Sequence, residues 1–451
     1  MGPIARLALA ARYGFGRIVP EPFVVAVGLA ALVVGAALLF GMAPSALLDA
    51  WATTGLWRLS VFAMQMALML LFGGALARAP AVEKALSALV GLGRGPRSLV
   101  AIVAFASACL GVLNWSLGLV GGALLARAAG IRARREGMRL HYPILCAAGY
   151  AGLSVWHGGL SGSAPLKAAS LDGQREVLGA ELASRVGALP LGETLFGPMN
   201  LVVTGGLVVL APLVFAAMVP DHDPDPRPCP ASFVAPASAE RDGETGGLLQ
   251  RIEDAAVVSW VLALLLGAGF VHRIAAGRFD FDTVVLGLWT AAVVAHGTPS
   301  RFLRACEESV HSCTGVLVQF PLYAGIMGVM AASGLSAALA TGIAAVGPGG
   351  FLPAVFASAA LINLFVPSGG GQWAVQGPIV LEAAERLGVE PAHALLAVAY
   401  GDQWTNMLQP FWALPLLAIT GIRARHLVGL SAVWMLVAGI WILSTMTWMG
   451  A

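Results

Sequence analysis

Two apolar stretches, residues 98–126 and 350–381, constrain this chain more than any other feature. A membrane helix needs roughly 20 apolar residues, so each stretch is too long for one simple span. Each is also broken in its middle. Asn114-Trp115-Ser116 interrupts the first, and Pro367-Ser368-Gly369-Gly370-Gly371 interrupts the second. Irregular backbone at membrane depth is tolerated only where it is buried in protein or lines a wet cavity. Both breaks are therefore expected inside the fold, at a site.

The rest of the chain places these stretches in a bilayer. It is 58% hydrophobic and 11% charged, with a mean hydropathy of +0.82, whereas soluble domains carry about 25% charged residues. The short alternating segments of a β-barrel are missing, so the expected class is an all-α membrane protein. Nine spanning helices are expected near 22–42, 57–77, 143–158, 200–219, 255–271, 283–296, 314–333, 391–408 and 427–447, plus two hairpins. A net charge of +2 points to no nucleic-acid partner. Five cysteines without metal spacing suggest neither a disulfide framework nor a metal site. Arg6, Arg12 and Arg17 lie on an amphipathic stretch, which reads as a basic surface helix rather than a cleavable signal.

Basic loops then set orientation. The loop at 78–97 carries Arg78, Lys84, Arg94 and Arg97, and that at 127–139 carries Arg127, Arg132, Arg134, Arg135 and Arg139. Both belong on the cytoplasmic side with the N-terminus, so 98–126 must enter and return as a re-entrant hairpin. Continuing along the chain, 350–381 opens to the opposite side. Arg273 and Arg278 are the misfits. Gln65 recurs as Gln319, Phe105-Ala106-Ser107-Ala108 as Phe356-Ala357-Ser358-Ala359, and Tyr150 as Tyr400, at a nearly constant offset of about 250 residues. Such weak symmetry, with Gly-interrupted apolar segments, is the mark of an inverted structural repeat in a secondary transporter. The expected organisation is a first repeat at 1–219, a polar Pro-rich linker and connecting helix at 220–279, and a second repeat at 280–451.

The candidate site residues cluster at the breaks. Gly369, Gly370 and Gly371 let backbone N–H groups approach a ligand, and a helix starting near Gln372 would present its positive end to a carboxylate. Asn114 and Ser116 mark the partner tip. Two further spans are interrupted, one through His157, Ser161 and Ser163, the other through Asp402, Thr405 and Asn406. Asn363 precedes the second break. Asp402 is the one acid expected deep in a span, a functional position by default; it would bind Na⁺ or titrate in proton coupling. His157 is a proton relay or a satisfied polar residue at a helix break. Gln65 and Gln319 line the site or bond across helices. No cofactor beyond Na⁺ or H⁺ is implied. Ser161 within GLSGS resembles a nucleophile motif only superficially, since no strand precedes it, and ATP-binding motifs are missing. A passive anion channel remains the alternative, and an intramembrane acyl or lipid enzyme a more distant one.

At these same residues the chain resembles the bacterial short-chain fatty acid transporter family, within the wider ion-transporter superfamily. The segments that carry the resemblance include LNWSLGLVGGALLAR, GGLSGSAPL, VQFPLYAGIMGVM, INLFVPSGGGQWAVQGP and AYGDQWTNMLQPFWALP. It implies inverted repeats, paired hairpins, elevator-type movement and transport of small monocarboxylates such as butyrate or acetoacetate; with Asp402 coupling a cation, the expectation is symport across the inner membrane. Asn114, Ser116, Ser161, Ser163, Asn363, Ser368 to Gln372 and Asn406 would then meet the substrate. Asp402, His157 and Thr405 would serve the coupling ion, and Trp115, Trp373 and Trp404 would shape an acyl pocket. The remaining helices would form a scaffold and offer a homodimer interface.

Overall fold

The computed structural model describes residues 2–18, 21–221, 227–231, 254–278, 281–335, 338, 347–366 and 369–450. All regular structure among them is helical. Proline at the first turn opens many of the helices, including those at Pro22, Pro96, Pro198, Pro348, Pro391 and Pro410. The first-turn N–H lacks an intrahelical partner anyway, and the ring pre-sets φ.

In chain order the helices are α1 (Pro3–Ile18), α2 (Pro22–Leu39), α3 (Pro44–Leu48), α4 (Ser60–Ala77), α5 (Pro80–Gly91), α6 (Pro96–Leu113), α7 (Trp115–Arg135), α8 (Tyr142–Tyr150), α9 (Ser163–Ala168) and α10 (Leu171–Val186). They continue as α11 (Pro198–Met218), α12 (Ala256–Ala275), α13 (Phe281–His296), α14 (Pro299–Val310), α15 (Thr314–Ala332), α16 (Pro348–Asn363), α17 (Gly369–Leu387), α18 (Pro391–Thr405), α19 (Pro410–Thr420) and α20 (Ala424–Met449). Six of these, α2, α6, α11, α12, α15 and α20, are long and apolar enough to cross a membrane. A seventh candidate is the bent pair Ala63–Leu76 and Pro80–Gly91, which meet at 75°.

Both long apolar stretches fold back on themselves. Asn114 takes an extended conformation between α6 and α7. The two limbs then touch at Gly111 and Gly118, where a Cβ on Gly118 would come within 2.6 Å of the Gly111 Cα. In the second stretch Gln372 donates across from α17 to the Ala359 carbonyl of α16 at 2.8 Å, and Gln376 donates to Ser358 Oγ at 3.2 Å. Helix α17 begins at Gly369, not near Gln372. The glycine triplet is thus its first turn rather than the loop before it. Pro367 and Ser368 lie outside the described residues.

The two interrupted spans are more broken than the sequence suggested. Helix α8 has nine residues, continues as one 3₁₀ turn over Ala151–Ser154, and then loses regular structure up to Gly162. Helix α18 stops at Thr405, and α19 restarts at Pro410. The expected span at 283–296 is the 16-residue α13. The first hairpin packs against α8 backbone to backbone. A Cβ at Gly122 would lie 2.0 Å from the Gly149 carbonyl oxygen, and one at Gly149 would lie 2.4 Å from that of Gly122. Only glycine at both positions permits that approach. Ser107 of α6 reinforces it by donating to the Gly149 carbonyl at 2.6 Å.

Helix α1 differs from expectation. It packs on α20 rather than lying free on a surface. Ala5 and Ala8 are buried, and Gly429 of α20 lets the α1 backbone come close. Arg12 is buried with it, within hydrogen-bond reach of the His141 ring at 3.2 Å. Small residues along one stripe of α1 favour docking over surface adsorption. The misfit Arg273 pairs with Asp282 at 3.8 Å, which also accepts from Gln65. Gln65 therefore bonds across helices, from α4 to α13.

Candidate functional site

The breaks converge. Asn363, the last residue of α16, sends its amide into the interrupted end of α18. Its Nδ2 donates to the Asp402 carbonyl at 2.7 Å, to Thr405 Oγ1 at 3.0 Å and to Asn406 Oδ1 at 2.7 Å. Gln409 donates back to the Asn363 carbonyl. The C-terminal carbonyls of a helix lack intrahelical partners, so an amide that reaches them closes the break without water. One element of the second half is thereby tied to another.

The first half meets this knot through His157. Gln403 Oε1 accepts from the backbone N–H groups of His157 at 3.0 Å and Gly158 at 3.2 Å. His157 Nδ1 lies 3.1 Å from Asp402 Oδ2. Its Nε2 accepts from the Ala164 N–H at 3.1 Å and sits 3.2 Å from Ser163 Oγ. Tyr150 donates to the Asn406 carbonyl at 2.8 Å. Asp402 is the only buried carboxylate among the described residues, and His157, Asn363 and Asn406 beside it are completely enclosed. Several kcal/mol of desolvation stand against an enclosed charge unless it is paired and hydrogen-bonded. Gly369 seals the site from the α17 side. A Cβ there would lie 2.7 Å from Ser163 Oγ and 2.8 Å from Asp402 Oδ2.

The first hairpin tip reaches the same place differently. Asn114 is buried and its Oδ1 accepts from the Leu117 N–H at 3.4 Å. Ser161 Oγ accepts from the Trp115 N–H at 2.9 Å, and the Leu160 N–H donates to the Val112 carbonyl at 2.7 Å. Aromatic contacts do the rest. Trp115 meets Trp412 edge-on at 5.1 Å and Trp156 at 6.4 Å, and the Trp156 ring stacks on His157 at 4.2 Å. Phe411 extends the series to Trp412 at 5.0 Å and to Phe320 of α15 at 4.2 Å.

Of the residues singled out in the sequence, His157, Ser163, Asn363, Gly369, Asp402, Thr405 and Asn406 are brought together. Asn114 and Ser161 stand at the first hairpin tip. Gln372 staples the second hairpin, Gly370 and Gly371 follow Gly369 in the first turn of α17, and the Ser116 side chain and Ser368 lie outside the described residues. Trp404 turns away, donating to the Met435 carbonyl of α20 at 2.6 Å and packing on Phe356. Trp373 is fully buried. Trp156 and Trp412 stand nearer the site, although nothing in the sequence marks either. Gln403 lies in the AYGDQWTNMLQPFWALP segment, among the amides of the interrupted span, without being singled out as a site residue. It adjoins Asp402, and its value lies in a contact to the other half of the chain. Gln319 is buried and lines a groove of about 380 Å³ with Glu21, His311 and Arg423. Among the described residues, no group of three or more His, Cys, Asp or Glu side chains could hold a metal ion.

Residues 4–449 match the family described as short chain fatty acid transporter. A candidate short-chain fatty acid transporter of Escherichia coli (strain K12) is 34% identical over 429 residues, covering 94% of this chain and 95% of that protein. Its counterpart in Haemophilus influenzae is 34% identical over 393 residues, 86% of each. Among solved structures, the chain is similar to the YdaH transporter of Alcanivorax borkumensis, at 17% identity and a TM-score of 0.42 over 96% of this chain and 98% of that one. It is equally similar to MtrF of Neisseria gonorrhoeae, described within a class of antimetabolite efflux pumps, at 17% and 0.42 over 98% and 97%. Likenesses that distant carry no argument about mechanism. The match along nearly the whole length shows the family: the chain belongs to the short-chain fatty acid transporter family, and it is a multi-pass membrane transporter rather than an enzyme.

Proposed function

We propose that this protein carries short-chain monocarboxylates, of the butyrate and acetoacetate class, across the bacterial inner membrane by cation-coupled symport. The observation that carries this reading is a set of enclosed N–H donors around Asp402. Asn406 Nδ2, Gln403 Nε2 and Trp156 Nε1 are buried and have no acceptor within the protein. A buried donor left unpaired costs about 1–3 kcal/mol, and a carboxylate is an acceptor that would satisfy several at once. Ser163, Asn363, Asn406 and the backbone at Gly369 to Gly371 then frame the carboxylate. Trp115, Trp156 and Trp412 flank the acyl chain in place of Trp373 and Trp404. Asp402, with His157 and Thr405, serves the coupling ion.

An anion beside Asp402 meets a like charge. At 4 Å and an effective dielectric of 20 that repulsion is about 4 kcal/mol. A cation taken up at Asp402 removes it, so cation and substrate bind better together than apart. The nine-span topology, with a cytoplasmic N-terminus and two re-entrant hairpins, is supported by the basic loops and by the way each hairpin packs on the broken helix of its own half. The repeats at 1–219 and 280–451, joined by 220–279, follow the same element order of hairpin, then broken helix. In an elevator, the hairpins and broken helices would move together against the remaining helices, which would hold a homodimer.

Uptake of acetoacetate and butyrate into proteoliposomes, with imposed Na⁺ or pH gradients, tests this. Accumulation driven by a gradient and abolished in Asp402→Asn is the expected result. Gradient-independent flux that the substitution leaves unchanged would instead identify a channel or uniporter.

A further inference from the structure

Arg423 and Gln319 line a groove apart from the site around Asp402. Helix α19 ends at Thr420, and Gly421 turns the chain in a left-handed conformation with a φ of 67°. That turn brings Ile422 and Arg423 to a groove of about 380 Å³, which they share with α15, α19 and Glu21. Small-molecule sites usually enclose about 300–1,000 Å³.

Two groups in this groove are left unsatisfied. Arg423 is exposed and has no ion-pair partner among the described residues. Gln319 is buried, five residues into α15 and so about 8 Å along its axis from Thr314. Its Oε1 is enclosed with no hydrogen-bond partner. Its Nε2 lies 3.8 Å from where a Cβ on Gly315 would stand, and Gly315 itself lines the groove. A buried amide left unpaired is costly, and a ligand entering the groove would relieve that cost. Leu414, Leu417 and Ile422 supply an apolar wall. A guanidinium, an amide donor and an apolar wall together suit a short carboxylate, charged at the head and apolar in the tail.

The groove also leads toward the central site. Tyr323, one turn beyond Gln319 on the same face of α15, is buried, and its hydroxyl has no hydrogen-bond partner among the described residues. Its ring meets Phe411 edge-on at 5.0 Å. Phe411 begins the aromatic series through Trp412 and Trp115 to Trp156, which stacks on His157. Polar donors thus step inward from Arg423 to the aromatic side of the central site.

Resting on the transport reading above, we propose that the groove between α15 and α19 is an outer binding site for the same short monocarboxylates, where Arg423 draws in the carboxylate and Gln319 holds it on its way to or from the Asp402 site. Arg425, and Arg227 whose guanidinium meets the His426 ring, add positive charge on this face. Glu21 opposes them from the groove itself. Charge along a cleft raises the local concentration of an oppositely charged solute, and salt screens the effect.

The test is counterflow of labelled butyrate by the full-length protein in phosphatidylcholine liposomes, sorted by protein orientation so that each face is assayed alone. Arg423→Gln is expected to raise KM about fivefold on the face where α20 begins, with the maximal rate and the KM on the opposite face unchanged. Raised ionic strength should weaken the wild type on that face and leave the variant flat. Arg423→Lys should keep most of the wild-type affinity, and Gln319→Leu should raise KM by a smaller factor. Glu21→Gln should lower KM, a change of opposite sign that lost packing does not produce. Arg423 and Glu21 are both exposed, so neither substitution disturbs the core. An unchanged KM in Arg423→Gln, an equal rise on both faces, or a rise in Glu21→Gln overturns the proposal and leaves the transport reading standing. An effect of Arg423→Gln seen only after phosphatidylglycerol is added would assign the arginine to a lipid headgroup and overturn it as well. Absence of counterflow in the wild type from either face would remove the transport reading and the proposal with it.

Discussion

The two halves bring a hairpin tip to a broken helix, and they fasten it with different chemistry. In the second half the fastening is polar, through the Asn363 amide, the end of α18 and the returning Gln409. In the first half it is a serine and a backbone bond supplemented by aromatic rings, through Ser161, Leu160, Trp115 and Trp156, with Trp412 reaching across from the second half. Asp402 and the amides that close its helix end therefore sit on one side of the site, faced by His157 of the first half, and most of the apolar shape sits on the other. A short carboxylic acid has the same division, a charged head and an apolar tail.

The sharpest way to break that comparison is to remove the two asparagines in turn. Asn363→Ala strands the Asp402 carbonyl and Asn406 Oδ1 in an enclosed space, at about 1–3 kcal/mol for each orphaned group. Uptake is expected to vanish and the melting temperature to fall by several degrees, whereas Asn114→Ala, which removes the bond to the Leu117 N–H, should cost typically about 1 kcal/mol. Equal losses in the two variants, read by thermal unfolding and uptake together, would erase the contrast.

Neighbouring glycines offer a second comparison. Gly369→Ala drives a methyl group into Ser163, Trp156 and Asp402, with about 1–3 kcal/mol of overpacking expected and a large loss of transport. Gly370→Ala meets only Ser163 Cβ at 3.9 Å and should behave like the wild type in both assays.

On the aromatic side, Trp412→Ala should shift preference toward longer acids. Each added methylene that fills the space contributes about 0.8 kcal/mol, or roughly fourfold in affinity. Competition by acids of increasing chain length against labelled butyrate measures it. An unchanged ranking would move the acyl pocket elsewhere.

The smallest effect is expected at the repeated glutamines. Gln65→Leu breaks the bond to Asp282 and should cost about 1 kcal/mol of stability, with uptake preserved. Gln319→Leu breaks no such bond and should cost less. A loss of uptake in Gln65→Leu would bring α4 into the transport path.

Much of this was legible in the chain. Asn114 and the Pro367-to-Gly371 run interrupt long apolar stretches, and such interruptions can only be interior. Asp402 stood out because a lone acid in an apolar span has few structural uses. Trp404 misled, because aromatic character says nothing of direction. Its indole turns toward α20, where the Met435 carbonyl and the space beside Gly439 receive it. Gln403 and Trp412 stood in a quoted segment, but their contacts could not be read from it, since their partners, His157 and Trp115, lie hundreds of residues away in sequence.

The sequence by itself determined that this chain is a helical membrane protein, where its hairpins turn and where its helices break. Those properties depend on local composition, on proline and glycine, and on the cost of exposing backbone to lipid. Only the tertiary structure decided which polar atoms meet. That the His157 ring comes to lie 3.1 Å from Asp402, and that the Asn363 amide fills the oxygen cluster beside it, are matters of distance and angle between segments far apart in the chain. Hydrogen bonds are directional and fade within an ångström, so no pattern along one strand of residues could have foretold them.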